Sequence, residues 1–247
     1  MVLREEAYMS RVGNHFLKAG RLLTLAVGAI VASTVDAQAQ VLRDTTGDGK
    51  VEVLAFGDSI TYGVGDGNNP GDYVPEITDS GNPRGYPTRV SAATGLPVGN
   101  AGSPGERLVR SGLERFASLV VGSDVDTVIF MEGANDAVHQ IEGAQYRRAV
   151  QRIVNVARAE GKSLVLATLP PPTANHASLA LFTTFYSSIV KDLGTINDVP
   201  VADVEQRFLS ACPDLNTCEL YNLPEGLHPN TNGYDAISEV ILSTVAQ

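Results

Sequence analysis

Short apolar runs alternate along this chain with longer stretches in which apolar residues recur every three or four positions. The runs Val51–Phe56, Pro97–Asn100, Thr127–Met131, Ser163–Thr168 and Val199–Ala202 have the length and near-continuous hydrophobicity of strands buried on both faces. The stretches Tyr86–Ala93, Glu106–Leu119, Ala144–Glu160, Leu179–Leu193 and Thr231–Val245 read as helices. In the last of them Tyr234, Ile237, Ile241 and Val245 share one face. In Ala144–Glu160 the shared face is Tyr146, Val150, Ile153 and Ala157, while Arg147, Arg148, Arg152 and Arg158 make a solvated side and not a binding patch. Strand and helix in strict alternation predict an α/β fold, a parallel sheet covered on both faces.

Residues 62–85 break the rhythm, being rich in Gly, Asp, Asn and Pro with no apolar period. A loop of that length inside a compact domain is usually functional or mobile. It begins three residues after Ser59 and is expected to form one wall of a pocket. Asp44-Thr45-Thr46-Gly47-Asp48-Gly49 hints at a calcium loop, but Ala55 stands where the bidentate acid belongs, so the segment reads as a plain turn.

The chain is 247 residues long, which fits one domain plus appendages. Its start reads as an export signal: basic Arg11, Lys18 and Arg21, then an apolar or small run from Leu22 to Thr34, then Ala37-Gln38-Ala39 as a cleavage pattern. The run is 13 residues, short of the roughly 20 that span a bilayer. The expected division is a cleaved leader over residues 1–39 and a single domain over 40–247, secreted or periplasmic. The domain carries 14 basic and 25 acidic residues, a net charge of −11. Such a surface repels nucleic-acid phosphates and anionic membranes, so neither is an expected partner. Cys212 and Cys218 are an even, closely spaced pair, which in an exported protein reads as a disulfide. No further cysteine or nearby histidine completes a metal set.

The chemistry lies at the ends of the predicted strands, where open parallel sheets bind ligands. Gly57-Asp58-Ser59-Ile60 follows the first, Asn100-Ala101-Gly102 the second and Glu132-Gly133-Ala134-Asn135-Asp136 the third. Glu225-Gly226-Leu227-His228-Pro229 precedes the final helix. Serine is a weak nucleophile until a base, itself oriented by a third group, takes its proton. Ser59, His228 and Glu225 are the candidates for these roles. Asp58 and Asp136 are expected to hold their turns by accepting backbone hydrogen bonds. His139 and His176 read as surface or loop residues.

In this order and context the blocks resemble the SGNH hydrolases, the GDSL esterases and lipases. The resemblance runs from about Val51 to the end and extends to Gly85-Tyr86-Pro87, Ala167-Thr168-Leu169-Pro170-Pro171 and His228-Pro229-Asn230. It implies a three-layer α/β/α sandwich with a five-stranded parallel sheet of the flavodoxin type, with the second, first and third strands side by side. It also implies Ser59 as nucleophile, His228 as base, and an oxyanion hole made of the Ser59 and Gly102 amides and the Asn135 side chain. No metal or organic cofactor is implied. The family usually has aspartate three residues before the histidine, and this chain has Glu225, one methylene longer.

Other frameworks fit less well. No Gly-x-Ser-x-Gly elbow of the α/β-hydrolases is present. Gly63-Val64-Gly65-Asp66-Gly67 lacks the last glycine of a dinucleotide fingerprint, and Gly161-Lys162-Ser163 enters a strand where a phosphate loop would leave one. The expectation is therefore a serine esterase acting on carboxylic esters. A carbohydrate O-acetylesterase and a lipase or lysophospholipase are the alternatives within the family, and an inactive binding module is the alternative outside catalysis. The chain has no tryptophan, the usual sugar platform, though Tyr73 or another of its eight tyrosines could serve.

Overall fold

The computed structural model describes residues 41–68 and 84–246. The leader expected over residues 1–39, Tyr73 and most of the loop at 62–85 lie outside the described residues. Five parallel strands, β1 (Val53–Gly57), β2 (Val98–Gly102), β3 (Thr127–Met131), β4 (Ser163–Ala167) and β5 (Val201–Ala202), lie in the order β2-β1-β3-β4-β5. The second, first and third strands are side by side, as expected, and this is the α/β fold that the alternation predicted. The register sets Gly57 opposite both Gly102 and Met131. The three central strands therefore end flush, and the loops after them open onto one edge of the sheet.

The eight helices described are α1 (Ser59–Tyr62), α2 (Gly85–Thr94), α3 (Leu113–Val120), α4 (Ala134–Val138), α5 (Gly143–Ala159), α6 (Ala180–Asn197), α7 (Val204–Ala211) and α8 (Thr231–Val245). The predicted helix over Glu106–Leu119 divides: a π-helical turn, Leu108–Gly112, precedes α3. Three helices were not anticipated. α1 and α4 are too short to show a period, and α7 presents only Val204 and Phe208, spaced by four, to the core. α7 forms because Asp203 caps it, accepting the Gln206 amide at 3.2 Å. α8 keeps its predicted bounds, with Asn230 accepting the Gly233 amide at 3.1 Å.

The core includes Phe56, Phe116 and Phe130, with Phe56 edge-on to Phe116 and stacked on Phe130. Four tyrosines, Tyr86, Tyr146, Tyr186 and Tyr234, are fully buried as well. A buried phenol needs a partner for its hydroxyl; Tyr86 finds it in Thr61 Oγ1 of α1 at 3.0 Å, and the other three find it in the loops. Tyr146 donates to Glu132 O (2.8 Å), Tyr186 to Ile141 O (2.5 Å) and Tyr234 to Val64 O (2.7 Å). Each rivets a connection at the functional edge to the core beneath it.

Candidate active site

Ser59 is the first residue of α1, immediately after β1. A residue there has an amide with no carbonyl behind it, so Ser59 offers both its hydroxyl and a free N–H at a helix start. Asp58 accepts the Ile60 amide at 3.0 Å and, with its other oxygen, the Gly133 and Ala134 amides at 3.4 and 3.2 Å. It thereby ties the nucleophile turn to the loop after β3. Burial pushes the Asp58 carboxyl up, while those amides and the nearby His228 pull against it. Asp136 also holds backbone, but of another segment: it accepts the Leu108 and Val109 amides at 2.8 and 3.2 Å, fixing the π-helical turn. Both aspartates act through backbone hydrogen bonds, as expected, and both join loops distant in sequence.

His228 arrives from the loop before α8, 169 positions from Ser59 in sequence. Its Nε2 is 2.9 Å from Ser59 Oγ and its Nδ1 is 3.0 Å from Glu225 Oε1. The partners fix the tautomer: a carboxylate accepts, so Nδ1 bears the proton and Nε2 offers its lone pair to the serine. Glu225 Oε2 accepts the Leu227 and His228 amides, each at 2.9 Å. Burial pushes the Glu225 carboxyl up, but these amides and the imidazole outweigh it and hold it below the ordinary glutamate value. The loop folds back on itself around the extra methylene, so that one oxygen grips the backbone and the other meets the imidazole.

The described part of the loop after Ser59 stands against this relay. At Gly65, where φ is +95°, a Cβ would lie 2.4 Å from Pro229 O and 3.2 Å from His228 Cβ. Only glycine fits there. Asn222 Nδ2 donates to Gly65 O at 3.1 Å and to Pro229 O at 3.0 Å, closing the seam. Residues 63–68 thus form a wall beside the histidine.

Asn135 sits in the first turn of α4. Its Nδ2 is buried and has no hydrogen-bond partner among the described residues. Such orphans are rare, and this one is a donor held ready near the helix start. Gly102 ends β2 beside the nucleophile turn. Its amide is already given to Asn100 Oδ1 at 2.9 Å, and a Cβ on it would lie 2.1 Å from Tyr62 N. Gly102 is glycine because α1 packs onto the end of β2, and in the resting site its N–H is held by the Asn100 side chain. The next amide, Ser103, is taken by Gly57 O at 2.9 Å. Gly105, at φ +79°, has open space over its Cα, and its amide has no hydrogen bond among the described residues.

His139 and His176, read from sequence as bystanders, each hold a carbonyl of a site residue. His139 Nδ1 lies 2.8 Å from Asn135 O, and His176 Nδ1 lies 2.7 Å from Glu225 O. His139 had a weak signal, its i+4 spacing from Asn135 within a helical turn. His176 had none, because its partner is 49 positions away. Cys212 and Cys218 are joined, with Cα atoms 5.3 Å apart. The short loop they close touches Thr173 through Asn216 Oδ1 at 3.3 Å. No cluster of three or more His, Cys, Asp or Glu among the described residues is placed to hold a metal.

A doubly covered parallel sheet with Ser, His and Glu converging at its carboxyl edge is the framework of a hydrolase. The sequence profile of the GDSL-like lipase/acylhydrolase family matches residues 55–236, and the chain belongs to that family. No curated protein matches it. Solved structures share the fold. An acetylxylan esterase from Geobacillus stearothermophilus is 22% identical, with 82% of this chain and 97% of that one covered, at a TM-score of 0.66. The lipase/acylhydrolase from Enterococcus faecalis is 24% identical over 79% of this chain and 95% of that one, at 0.61. An α/β hydrolase from the metagenome of Lake Arreo, Spain, is 20% identical over 79% and 94%, at 0.64.

Proposed function

We propose that the chain is a serine esterase that cleaves carboxylic esters through an acyl-serine intermediate. The observation that carries this reading is the unbroken relay from Ser59 Oγ to His228 Nε2 and from His228 Nδ1 to Glu225 Oε1, at 2.9 and 3.0 Å. Ser59 Oγ attacks the ester carbonyl as His228 takes its proton. The carbonyl oxygen becomes an anion, received by the Ser59 amide and Asn135 Nδ2. The Gly102 amide, which Asn100 Oδ1 accepts in the resting site at 2.9 Å, is the third donor of this reading once Asn100 releases it. His228 then returns the proton to the leaving alcohol. Water, deprotonated by the same imidazole, releases the acid and restores Ser59.

Two features bear on the substrate. The six tyrosines described, Tyr62, Tyr86, Tyr146, Tyr186, Tyr221 and Tyr234, are all buried, so none offers a face to a sugar ring. Relatives of the same fold include an acetylxylan esterase and a lipase/acylhydrolase, so small-acyl and lipid esters both stand as substrates of this reading. The basic, apolar and small-residue start of the chain and the Cys212–Cys218 bond support export. No described helix is long and apolar enough to cross a membrane.

A series of p-nitrophenyl esters from acetate to palmitate tests the proposal on residues 40–247. Turnover that disappears in a folded Ser59→Ala variant is the expected result, and the chain-length profile separates small-acyl from lipid specificity. Undiminished turnover in that variant, or none in the wild type on any ester, would overturn it.

A further inference from the structure

The loop after β4 reaches across to the histidine loop and meets three successive carbonyls. The Asn175 amide donates to Pro224 O (3.2 Å), His176 Nδ1 to Glu225 O (2.7 Å) and the Thr173 amide to Gly226 O (2.8 Å). Only the middle one, the carbonyl of the triad acid, is held by a side chain. A carbonyl accepts and never donates, so Nδ1 of His176 carries the proton. The same nitrogen lies 3.6 Å from Glu225 Oε1, the oxygen that faces His228. The segment adopts an unfavourable backbone to present this ring: Ala174 has φ +47°, left-handed for a residue with a Cβ.

We propose that His176 is a positioning residue for the base, acting through Glu225. Glutamate has three side-chain torsions to fix before its carboxylate can aim an imidazole. Each oxygen of Glu225 is restrained: Oε2 by two amides, Oε1 by His228, and the backbone oxygen by His176. Without the last contact the backbone of residue 225 can rotate between Pro224 and Gly226, and the carboxylate moves with it. Misplacement of such a group is expensive in rate, because the relay works only at hydrogen-bond distance. Among the described residues, Glu225 is the charged group joined to His176 by an ion pair, and His228 lies beyond it on the same carboxylate.

The kinetic consequence rests on the serine-esterase reading, and the test separates the two. His176→Asn places an amide nitrogen at the same bond distance from the backbone as Nδ1, keeping the donor without the ring. His176→Phe keeps a ring without the donor. The Phe variant is expected to lose about tenfold in kcat with KM little changed, the worth of one hydrogen bond, and the Asn variant to recover most of it. Proton NMR supplies a readout independent of turnover: the far-downfield resonance of the His228 Nδ1 proton bridging to Glu225 should persist in wild type and Asn, and broaden or vanish in Phe. If the Phe variant does not fold, His176→Ala set against the Asn variant gives the same comparison. Wild-type kcat and an intact resonance in the donorless variant, or an Asn variant as impaired as the donorless one, would overturn the proposal. Resonances that behave as expected in a protein that cleaves no ester would instead retain the positioning role and discard the esterase.

Discussion

At the scale of single residues, Glu225 decides how this relay is built. The carboxylate divides its work, one oxygen for the loop's own amides and one for the imidazole. Glu225→Gln keeps the length but gives the imidazolium no charge and offers an N–H where an acceptor is needed, so kcat should fall by up to ~10⁴. Glu225→Asp is one methylene short and cannot reach both partners; it should retain the fold and lose activity. Steady-state kinetics on both variants check this, and an Asp variant as fast as wild type would show that the length is not used. Ser59, Asn135, Glu225 and His228 were legible because each sits in a short motif of unusual residue types. The resting partner of the Gly102 amide was not legible: what a side chain two positions away, here Asn100, does with an amide is recorded in no motif.

The elements convert those residues into a site. Flush strand ends bring three loops to one edge, and buried carboxylates then tie the loops together. Asp136 joins α4 to the π-helical turn, and burial, together with the neighbouring Asp58, pushes its carboxyl up to about 6 against the pull of the Leu108 and Val109 amides. A raised acid pKa means that between about pH 4 and 6 the folded state keeps a proton the unfolded chain has lost. This group's contribution to stability is therefore present below about pH 4 and declines as pH rises through 6, by up to about 3 kcal/mol. Urea unfolding of wild type and Asp136→Asn across that range should show wild type losing stability relative to the variant as pH rises; parallel curves would contradict it. The strands and the long helices followed from the hydrophobic pattern, and the strand order from the family resemblance. The short α1 and α4, which carry Ser59 and Asn135, did not, because four or five residues hold no period; both are capped by Asp58, locally for α1 and across the fold for α4.

Over the whole molecule, the functional edge is braced from below by tyrosines and from the side by the covalent loop. The Cys212–Cys218 bond pins Asn216 against Thr173, whose amide holds Gly226 of the histidine loop. Reduction should lower the melting temperature modestly, since so short a loop contributes about 2 kcal/mol in the chain-entropy model, and should lower activity before global unfolding. Activity and unfolding followed side by side in reductant test this, and coincident losses would show that the loop does not reach the site. The Nδ2 of Asn135, unpaired among the described residues, sets the opposite balance. A buried donor without a partner among the described residues weakens a fold by about 1–3 kcal/mol, so removal of that amide is expected to cost little stability. Asn135→Ala should therefore lose 10²–10³ in kcat while melting no lower than wild type, and an anionic transition-state analogue should raise the melting point of wild type far more than that of the variant. On that outcome, ligand occupancy and thermal endurance are two readings of one hydrogen bond.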